Sequence, residues 1–422
     1  MPTSLSRTLV PWIVLLGACE SPALATTGFE HAFLEPLPVV LTMSRMPMAL
    51  RDTPGAVTVI DQELIRASGY RDIGRLFRLV PGMQVGQERG NDQWVTYHGL
   101  GLDFPNQMQL LIDGRSVNTP HFDWGKLRLA LDDIERIEVV RGSDAAAYGS
   151  NAFLGVVNIL TRHTGSESGS SARAAVGHRG IGDASGHALL RGGPLGLRIT
   201  AAHQHDDGFS ALHDGRRMSA LNVRGDLRLG RTDELTLHAG LLDGRRETGY
   251  PNTPFDGNAE REPSYRDGHL HLRWQRALGA DSEVSLAWSY SREYTRERWT
   301  VFAPAQPIIY IPIDASRRQR RSNLELQHRF AAGADLRVTW GLEWRRDTLD
   351  APLYFHGQGV KRQELARAFA NFEWRLSESW LVHGGTMAER QPGSATRHAP
   401  RLFVTWQPDA AHSWRLGYSR AW

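Results

Sequence analysis

Two pairs of histidines stand at i, i+2 spacing, His203 with His205 and His269 with His271. On an extended strand that spacing turns both imidazoles to one face, where neutral rings can ligate a metal ion. Two ligands without a third make a weak site, so surface or water-facing histidines are the better reading and no metal is expected. Arg224-Gly225-Asp226 spells an adhesion tripeptide, but it lies inside a strand-like run and reads as chance. Arg317-Arg318-Gln319-Arg320-Arg321 has the charge density of a nucleic-acid patch. The whole chain argues otherwise: 49 basic against 46 acidic residues leave +3, too even for a nucleic-acid partner. No nucleophile-base pair and no phosphate-cradling glycine loop stands out, so catalysis is not expected.

The elements that carry these residues are exported. Arg7, an apolar run over 9–18 and Pro22-Ala23-Leu24-Ala25 make residues 1–25 a signal peptide. Leu16-Gly17-Ala18-Cys19 also fits a lipoprotein cleavage box, and both processing routes stay open. Cys19 is the single cysteine, so the mature chain holds no internal disulfide. At 422 residues, 41% hydrophobic and 23% charged, the chain has room for two or more globular domains. After residue 25 no window reaches the ~20 apolar residues of a spanning helix. That excludes a helical membrane protein and leaves a β-barrel open, because barrel strands hide their lipid face at every second position.

Residues 26–50, rich in Pro and Met, read as a mobile arm. Within it Leu37-Pro38-Val39-Val40-Leu41-Thr42 is a short extended run of high β-propensity. Residues 51–165 mix helix and strand. Ala56 to Ile60 reads as a strand, Asp61 as the cap of a helix through Ala67, and Gly69 as its end. Ile73, Leu76, Phe77 and Val80 keep helical spacing before Pro81-Gly82. Met108 to Ile112 is a strand ending in the turn Asp113-Gly114. Two further strands, Ile137 to Val140 and Val156 to Leu160, flank a hairpin rich in Gly, Ala and Ser.

Residues 166–422 repeat another pattern. Leu336, Val338, Trp340, Leu342 and Trp344 alternate with Arg337, Thr339, Glu343 and Arg345, a period of two. About thirteen such segments follow one another, many long enough for a tilted membrane strand of ~9–11 residues. Tight connectors such as Gly230-Arg231-Thr232 and Ala332-Gly333 alternate with long ones, at 246–265 and 300–316 for example. Short turns on one rim and long loops on the other fit a transmembrane antiparallel β-barrel, where a soluble β-sandwich would show shorter strands without this asymmetry.

The chain resembles a TonB-dependent outer-membrane receptor. The motifs that carry the resemblance are Val80-Pro81-Gly82-Met83-Gln84-Val85, Leu110-Leu111-Ile112-Asp113-Gly114-Arg115, Ile134-Glu135-Arg136-Ile137-Glu138-Val139-Val140-Arg141-Gly142, Tyr148-Gly149-Ser150-Asn151-Ala152 and Gly155-Val156-Val157-Asn158-Ile159. They cover the plug domain in order; over the strands the likeness rests on Ala399-Pro400-Arg401-Leu402 and Tyr418-Ser419-Arg420-Ala421-Trp422. His98 stands where many relatives have Arg, and Ser143 where Pro is usual. The resemblance implies an α+β plug (51–165) enclosed by a β-barrel (166–422). The hairpin's residues are then small because it must fit against an inner wall. About 13 of about 22 strands are present, a number implied by the family's plugged barrels. Bacterial single-chain barrels use even strand numbers, so the reading expects a truncated chain.

Further roles follow from the resemblance. A plug must be shifted from the periplasmic side, by a TonB energy-coupling protein that adds to an N-terminal strand; Leu37, Pro38, Val39, Val40, Leu41 and Thr42 are the expected TonB box. Arg136, Glu138 and Arg141 are the expected plug–barrel latch, since buried charges demand partners. Substrate contacts are expected at Arg89, Asn91, Trp94, Phe122 and Trp124, cationic and aromatic groups suited to a metal chelate such as a ferric siderophore. Tyr250, Trp299, Phe302 and Tyr310 would close over it from the barrel loops. Cobalamin and haem are the other ligands considered, and no protein-bound cofactor is expected. The basic run at 317–321 follows a long loop and is expected to meet lipopolysaccharide phosphates. A diffusion porin or an outer-membrane enzyme is the rival reading; neither has a use for a plug or a coupling segment.

Overall fold

The computed structural model describes residues 39–422 apart from 101–106, 120–126, 128, 168, 251–257, 304–308 and 410. Two short strands, β1 (Val39–Val40) and β2 (Met48–Ala49), pair with each other. They lead into β3 (Ala56–Asp61), α1 (Gln62–Ala67) and α2 (Ile73–Leu76). A hairpin follows, β4 (Met83–Arg89) with β5 (Asp92–Tyr97), then β6 (Met108–Ile112), β7 (Arg115–Ser116), β8 (Ile134–Arg141), α3 (Ala145–Tyr148) and β9 (Gly155–Thr161). Asp61 begins α1 as its position suggests, its Oδ1 accepting the Leu64 N–H at 2.8 Å, and Gly69 leaves the turn with φ +66°.

β3, β8, β9, β6 and β7 form one sheet in that order, with only β6 and β9 parallel. Alternation along β8 and β9 gives the sheet two apolar faces. Ile60, Ile137, Val139, Val157 and Ile159 pack on Ile65, Ile73, Leu76 and Phe77 of the helical side. Val140, Val156 and Leu111 face the other way and are covered by Val40, Met43, Met46 and Met48. The segment from residue 39 to 50 is therefore a third layer of this domain, not a free arm.

The rest of the chain is a wall: β10 (Ser171–Val176), β11 (Gly182–Gly192), β12 (Leu195–Asp206), β13 (Arg216–Leu229), β14 (Asp233–Arg246), β15 (Ser264–Gly279), β16 (Ser282–Arg296), a side hairpin of β17 (Arg298–Ala303) and β18 (Ile309–Asp314), then β19 (Arg317–Ala331), β20 (Leu336–Asp350), β21 (Lys361–Arg375), β22 (Trp380–Arg390), β23 (Arg397–Trp406) and β24 (Trp414–Ser419). Without the side hairpin these make a thirteen-stranded antiparallel sheet in sequence order, with β10 and β24 at its edges. Connections are tight after β11, β13, β15, β19 and β21 and long after β12, β14, β16 and β20.

The wall is inside out relative to a soluble sheet. On β20, Trp340, Leu342 and Trp344 are 37%, 51% and 39% exposed, whereas Thr339, Glu343 and Arg345 between them are 0%, 7% and 8%. Apolar side chains face outward and charged ones inward, which is stable only where the outer medium is hydrocarbon. The inward charges meet the plug, through contacts running from β11 to β24. Among the described residues no helix is long and apolar enough to cross a membrane, which leaves crossing by strands untouched.

Candidate functional site

Glu138 lies fully buried in the middle of β8, on the face that carries residues 136 and 140. Its Oε2 accepts the Leu41 N–H at 2.9 Å, the Thr42 N–H at 2.8 Å and the Thr42 hydroxyl at 2.6 Å; Oε1 accepts Arg136 Nε at 2.9 Å. Arg136 also reaches Glu135 at 2.6 Å and the Val39 carbonyl at 3.4 Å. The expected plug–barrel latch is corrected here: strand alternation turns Arg136 and Glu138 to the N-terminal segment, so this charged pair fastens residues 39–42 to the plug instead of the plug to the wall. Arg141, opposite Gly155, has a buried Nε without a hydrogen-bond partner and no salt bridge to the wall among the described residues. Of the expected TonB box, Val39 and Val40 form β1, Leu41 and Thr42 are held by Glu138, and Leu37 and Pro38 lie outside the described residues.

Just beyond, Ser44 and Arg45 both adopt left-handed backbone, φ +60° and +58°. For side-chain-bearing residues this costs about 1–3 kcal/mol each and persists only when neighbours enforce it. They do. Arg401 of β23 donates to Ser44 Oγ at 2.5 Å. Arg45 pairs with Glu325 of β19 at 2.7 Å and donates to the Ala147 carbonyl at 2.8 Å. Its guanidinium lies 4.7 Å over the Tyr148 ring and 4.2 Å over that of Phe369.

The fastenings between plug and wall use other residues. Arg401 forms an ion pair with Asp144, just before α3, and both side chains are buried. Burial pushes the Asp144 carboxyl up to about 6, against the opposing charges of Arg401 and Arg45. Arg367 of β21 bridges Glu389 at 2.8 Å and Glu343 at 3.2 Å, and donates to Ser150 Oγ at 3.0 Å. Gly149 sits against this cluster with φ +72°; a Cβ there would lie 2.7 Å from Glu389 and from Met387, so the small hairpin does fit closely against the wall.

Nearer the long-loop rim, Arg216 pairs with Asp72 and Asp206, each at 2.8 Å, and Arg71 binds Asp183 through two bonds of 2.5 and 2.7 Å. Toward the tight-turn rim, Arg198 holds Asp133 at 2.6 Å. Arg224 donates to the Thr161 carbonyl at 2.7 Å and pairs with Asp226 at 3.1 Å, so the Arg-Gly-Asp tripeptide is a fastening of the plug's last strand. His238 reaches Asp113 at 3.1 Å; burial works against the Asp113 charge, but His238 and Arg224 hold its carboxyl well below the usual range.

The residues expected to touch substrate are divided by the structure. Arg89 and Asn91 are 6% and 3% exposed and engaged with barrel loops. Asn91 donates to the carbonyls of Gly215 at 2.9 Å and Glu247 at 2.8 Å; Arg89 donates to Thr248 and lies 4.3 Å over the Tyr250 ring. Trp94 is half-buried over Gly86 across the β4–β5 hairpin. Phe122 and Trp124 lie outside the described residues. On the side hairpin, Phe302 and Tyr310 stack edge-on at 5.1 Å, and Arg261 lies 4.3 Å over Trp299. His163, Asp226 and Glu234 present ligand atoms within 4.8 Å of one another. Gly165 N–H donates to His163 Nδ1 at 2.9 Å and His163 Nε2 faces Glu234 at 3.2 Å, so the cluster ties the segment after β9 to β13 and β14.

A sheet with an apolar outside and a separately cored domain fastened to its charged inside is the architecture of a plugged membrane barrel. Comparison with known proteins gives the same class. The profile of the TonB-dependent Receptor Plug Domain matches residues 49–156, and that of the TonB dependent receptor-like β-barrel matches residues 201–422. The chain belongs to the TonB-dependent receptor family. It is similar to the iron-regulated outer membrane virulence protein of Vibrio cholerae (21% identical, covering 90% of this chain and 59% of that protein) and to the vitamin B12 transporter BtuB of Photobacterium profundum (25% identical, covering 89% and 59%). In fold it resembles the ferripyoverdine receptor of Pseudomonas aeruginosa, with a TM-score of 0.71 at 12% identity over 90% of this chain and 59% of that one. The chain thus spans under two thirds of the length of these relatives.

Proposed function

We propose that this protein is an outer-membrane receptor that imports a scarce, bulky nutrient, a ferric siderophore before cobalamin or haem, using force delivered by TonB from the periplasm. The observation that carries the reading is the hold of Glu138 on Leu41 and Thr42. A two-residue strand held on the plug by a short partner strand, the apolar cover of Val40 and the Glu138 carboxylate just beyond it is suited to being drawn away and paired with another protein's sheet edge, because main-chain pairing accepts varied side chains. In this reading residues 1–25 direct export, 51–165 form the plug and 166–422 the barrel. Residues 37–42 form the TonB box. Trp94, Phe122 and Trp124 meet ligand from the plug, with Tyr250, Trp299, Phe302 and Tyr310 from the loops. Arg89 and Asn91 position those loops.

The test separates ligand from energy coupling. The full chain is folded in detergent and titrated with ferric catecholate, ferric hydroxamate, cobalamin and haem by tryptophan quenching, and a purified periplasmic domain of TonB is added to wild type and Val40→Pro. Proline removes a ladder N–H, so the variant should keep ligand affinity and lose TonB capture. Equal capture by both proteins would remove residues 37–42 from the coupling role.

A further inference from the structure

The registers of β14, β15, β16, β19 and β20 fix a grid on the outer face of the wall. One cross-strand row reads Leu241, Gly268, Arg292, Arg320, Thr348, and the row nearer the long loops reads Asp243, Arg266, Tyr294, Arg318, Asp350. Toward the membrane midplane come Ala239, Leu270, Tyr290, Ser322, Arg346 and then Leu237, Leu272, Trp288, Leu324, Trp344. The lower row is aliphatic and aromatic, the composition of an interfacial girdle, so the arginines stand at headgroup height.

Arg292 and Arg320 are directly opposite on neighbouring strands, and both are exposed. Like charges in that position repel. No salt bridge joins Arg292, Arg296, Arg318 or Arg320 to an acid among the described residues, although Arg318 lies 5.5 Å over the Tyr294 ring. Arg266, beside them, has Asp243 at 3.1 Å in a largely exposed pair. Gly268 carries no side chain, and its place in the row opens a groove lined by Leu241, Gly268, Leu270, Tyr290, Arg292 and Arg318. A facing pair of unneutralised guanidiniums beside an apolar groove, on a surface turned toward lipid, lacks an anion with a hydrocarbon tail.

We propose that this patch binds a phosphorylated glycolipid of the outer leaflet: a phosphate bridges Arg292 and Arg320, with Arg318 and Arg266 flanking, and an acyl chain lies in the groove over Leu241, Leu270 and Tyr290. Guanidinium forks suit phosphate oxygens, and the bridging anion turns a repulsive pair into an attractive triad. The inference rests on the outer-membrane reading but is independent of the nutrient carried and of TonB.

The full chain is folded into phosphatidylcholine vesicles with or without bisphosphorylated lipid A, floated on a gradient, then extracted in mild detergent for measurement of co-purifying lipid A by mass spectrometry. Wild type should float and retain lipid A. Arg292→Gln/Arg320→Gln should float equally and retain it roughly tenfold less or weaker, about what two surface arginines contribute. Without lipid A the double variant should resist urea as well as wild type or better, because a repulsion has been removed. Arg276→Gln, at the opposite rim beside Asp233, should retain lipid A as wild type does. Equal retention by wild type and the double variant overturns the site. Displacement of lipid A by equimolar inorganic phosphate overturns the glycolipid assignment in favour of a free-anion site. Failure of wild type to float overturns the membrane reading and the site with it.

Discussion

Asp144, on the loop after β8, and Arg401, midway along β23, face each other across the boundary between plug and wall with side chains 0% and 1% exposed. Arg401 also holds Ser44 at 2.5 Å and Asn371 at 3.1 Å, so one guanidinium joins the wall, the plug loop and the N-terminal segment. Truncating Asp144 takes from Arg401 the acceptor that the carboxyl offers in either protonation state, and a buried charged donor left without a partner is costly. Asp144→Ala should cost about 3–5 kcal/mol of docking stability, read as an earlier loss of protease protection for the plug in a urea series.

The same pair gives a pH signature. Burial lifts the Asp144 carboxyl to about 6, whereas an unfolded aspartate titrates near ~3.9. Between these values the docked form binds the extra proton. Stability from this group is therefore complete below about pH 4 and lost as pH rises through about 6. Acidification from pH 7 to pH 5 should strengthen this contribution, the reverse of an ordinary surface ion pair. Asp144→Asn should flatten that part of the profile when urea midpoints are compared at the two pH values.

Glu138 accepts three donors from Leu41 and Thr42. Hydrogen bonds to a charged group contribute about 1.5–3 kcal/mol each, not additively. Glu138→Ala should free residues 39–42, raising hydrogen exchange at the Leu41 and Thr42 amides by roughly 100-fold or more while the exchange of β9 stays slow. Unchanged exchange at those two amides would mean that apolar cover from Val40 and Met43 alone holds the segment.

The outward face of β20 makes a separate claim. Leu342 is 51% exposed on that face and its neighbour Glu343 is 7% exposed on the inner one. Leu342→Arg should cost about 2–4 kcal/mol of stability in vesicles, as a cation set against hydrocarbon does, and far less in a water-soluble setting. Folding yield into lipid vesicles, measured by heat-modifiable migration, is the readout.

Elements were legible in the sequence where one local rule decides them. Period two marked the wall strands, and the Asp61 cap and the Asp113-Gly114 turn were visible in their residue types. Side-chain partners were not legible, because they are set by register between strands far apart in the chain. The charges of Arg136 and Glu138 suit a wall contact as well as a contact within the plug, and only the position of residues 39–42 over their face of the sheet decides between the two. Asp144 gave no signal of its own beside Ser143 and Ala145, and its partner Arg401 lies 257 residues away. The residue types of Arg89 and Asn91 suit a chelate, but their loop partners, Thr248 for Arg89 and the Gly215 and Glu247 carbonyls for Asn91, lie more than a hundred residues away and leave no local signal.

Among the described residues the apolar clusters of the plug are made wholly of residues between 40 and 159, with no member drawn from the wall. Withdrawal of the domain along the lumen therefore tears no shared oil-like interior; it parts guanidiniums from carboxylates one by one, and solvent entering the seam can solvate each half as it separates. Under the proposed import function, a stopper built this way can leave its socket and return with its own interior unchanged.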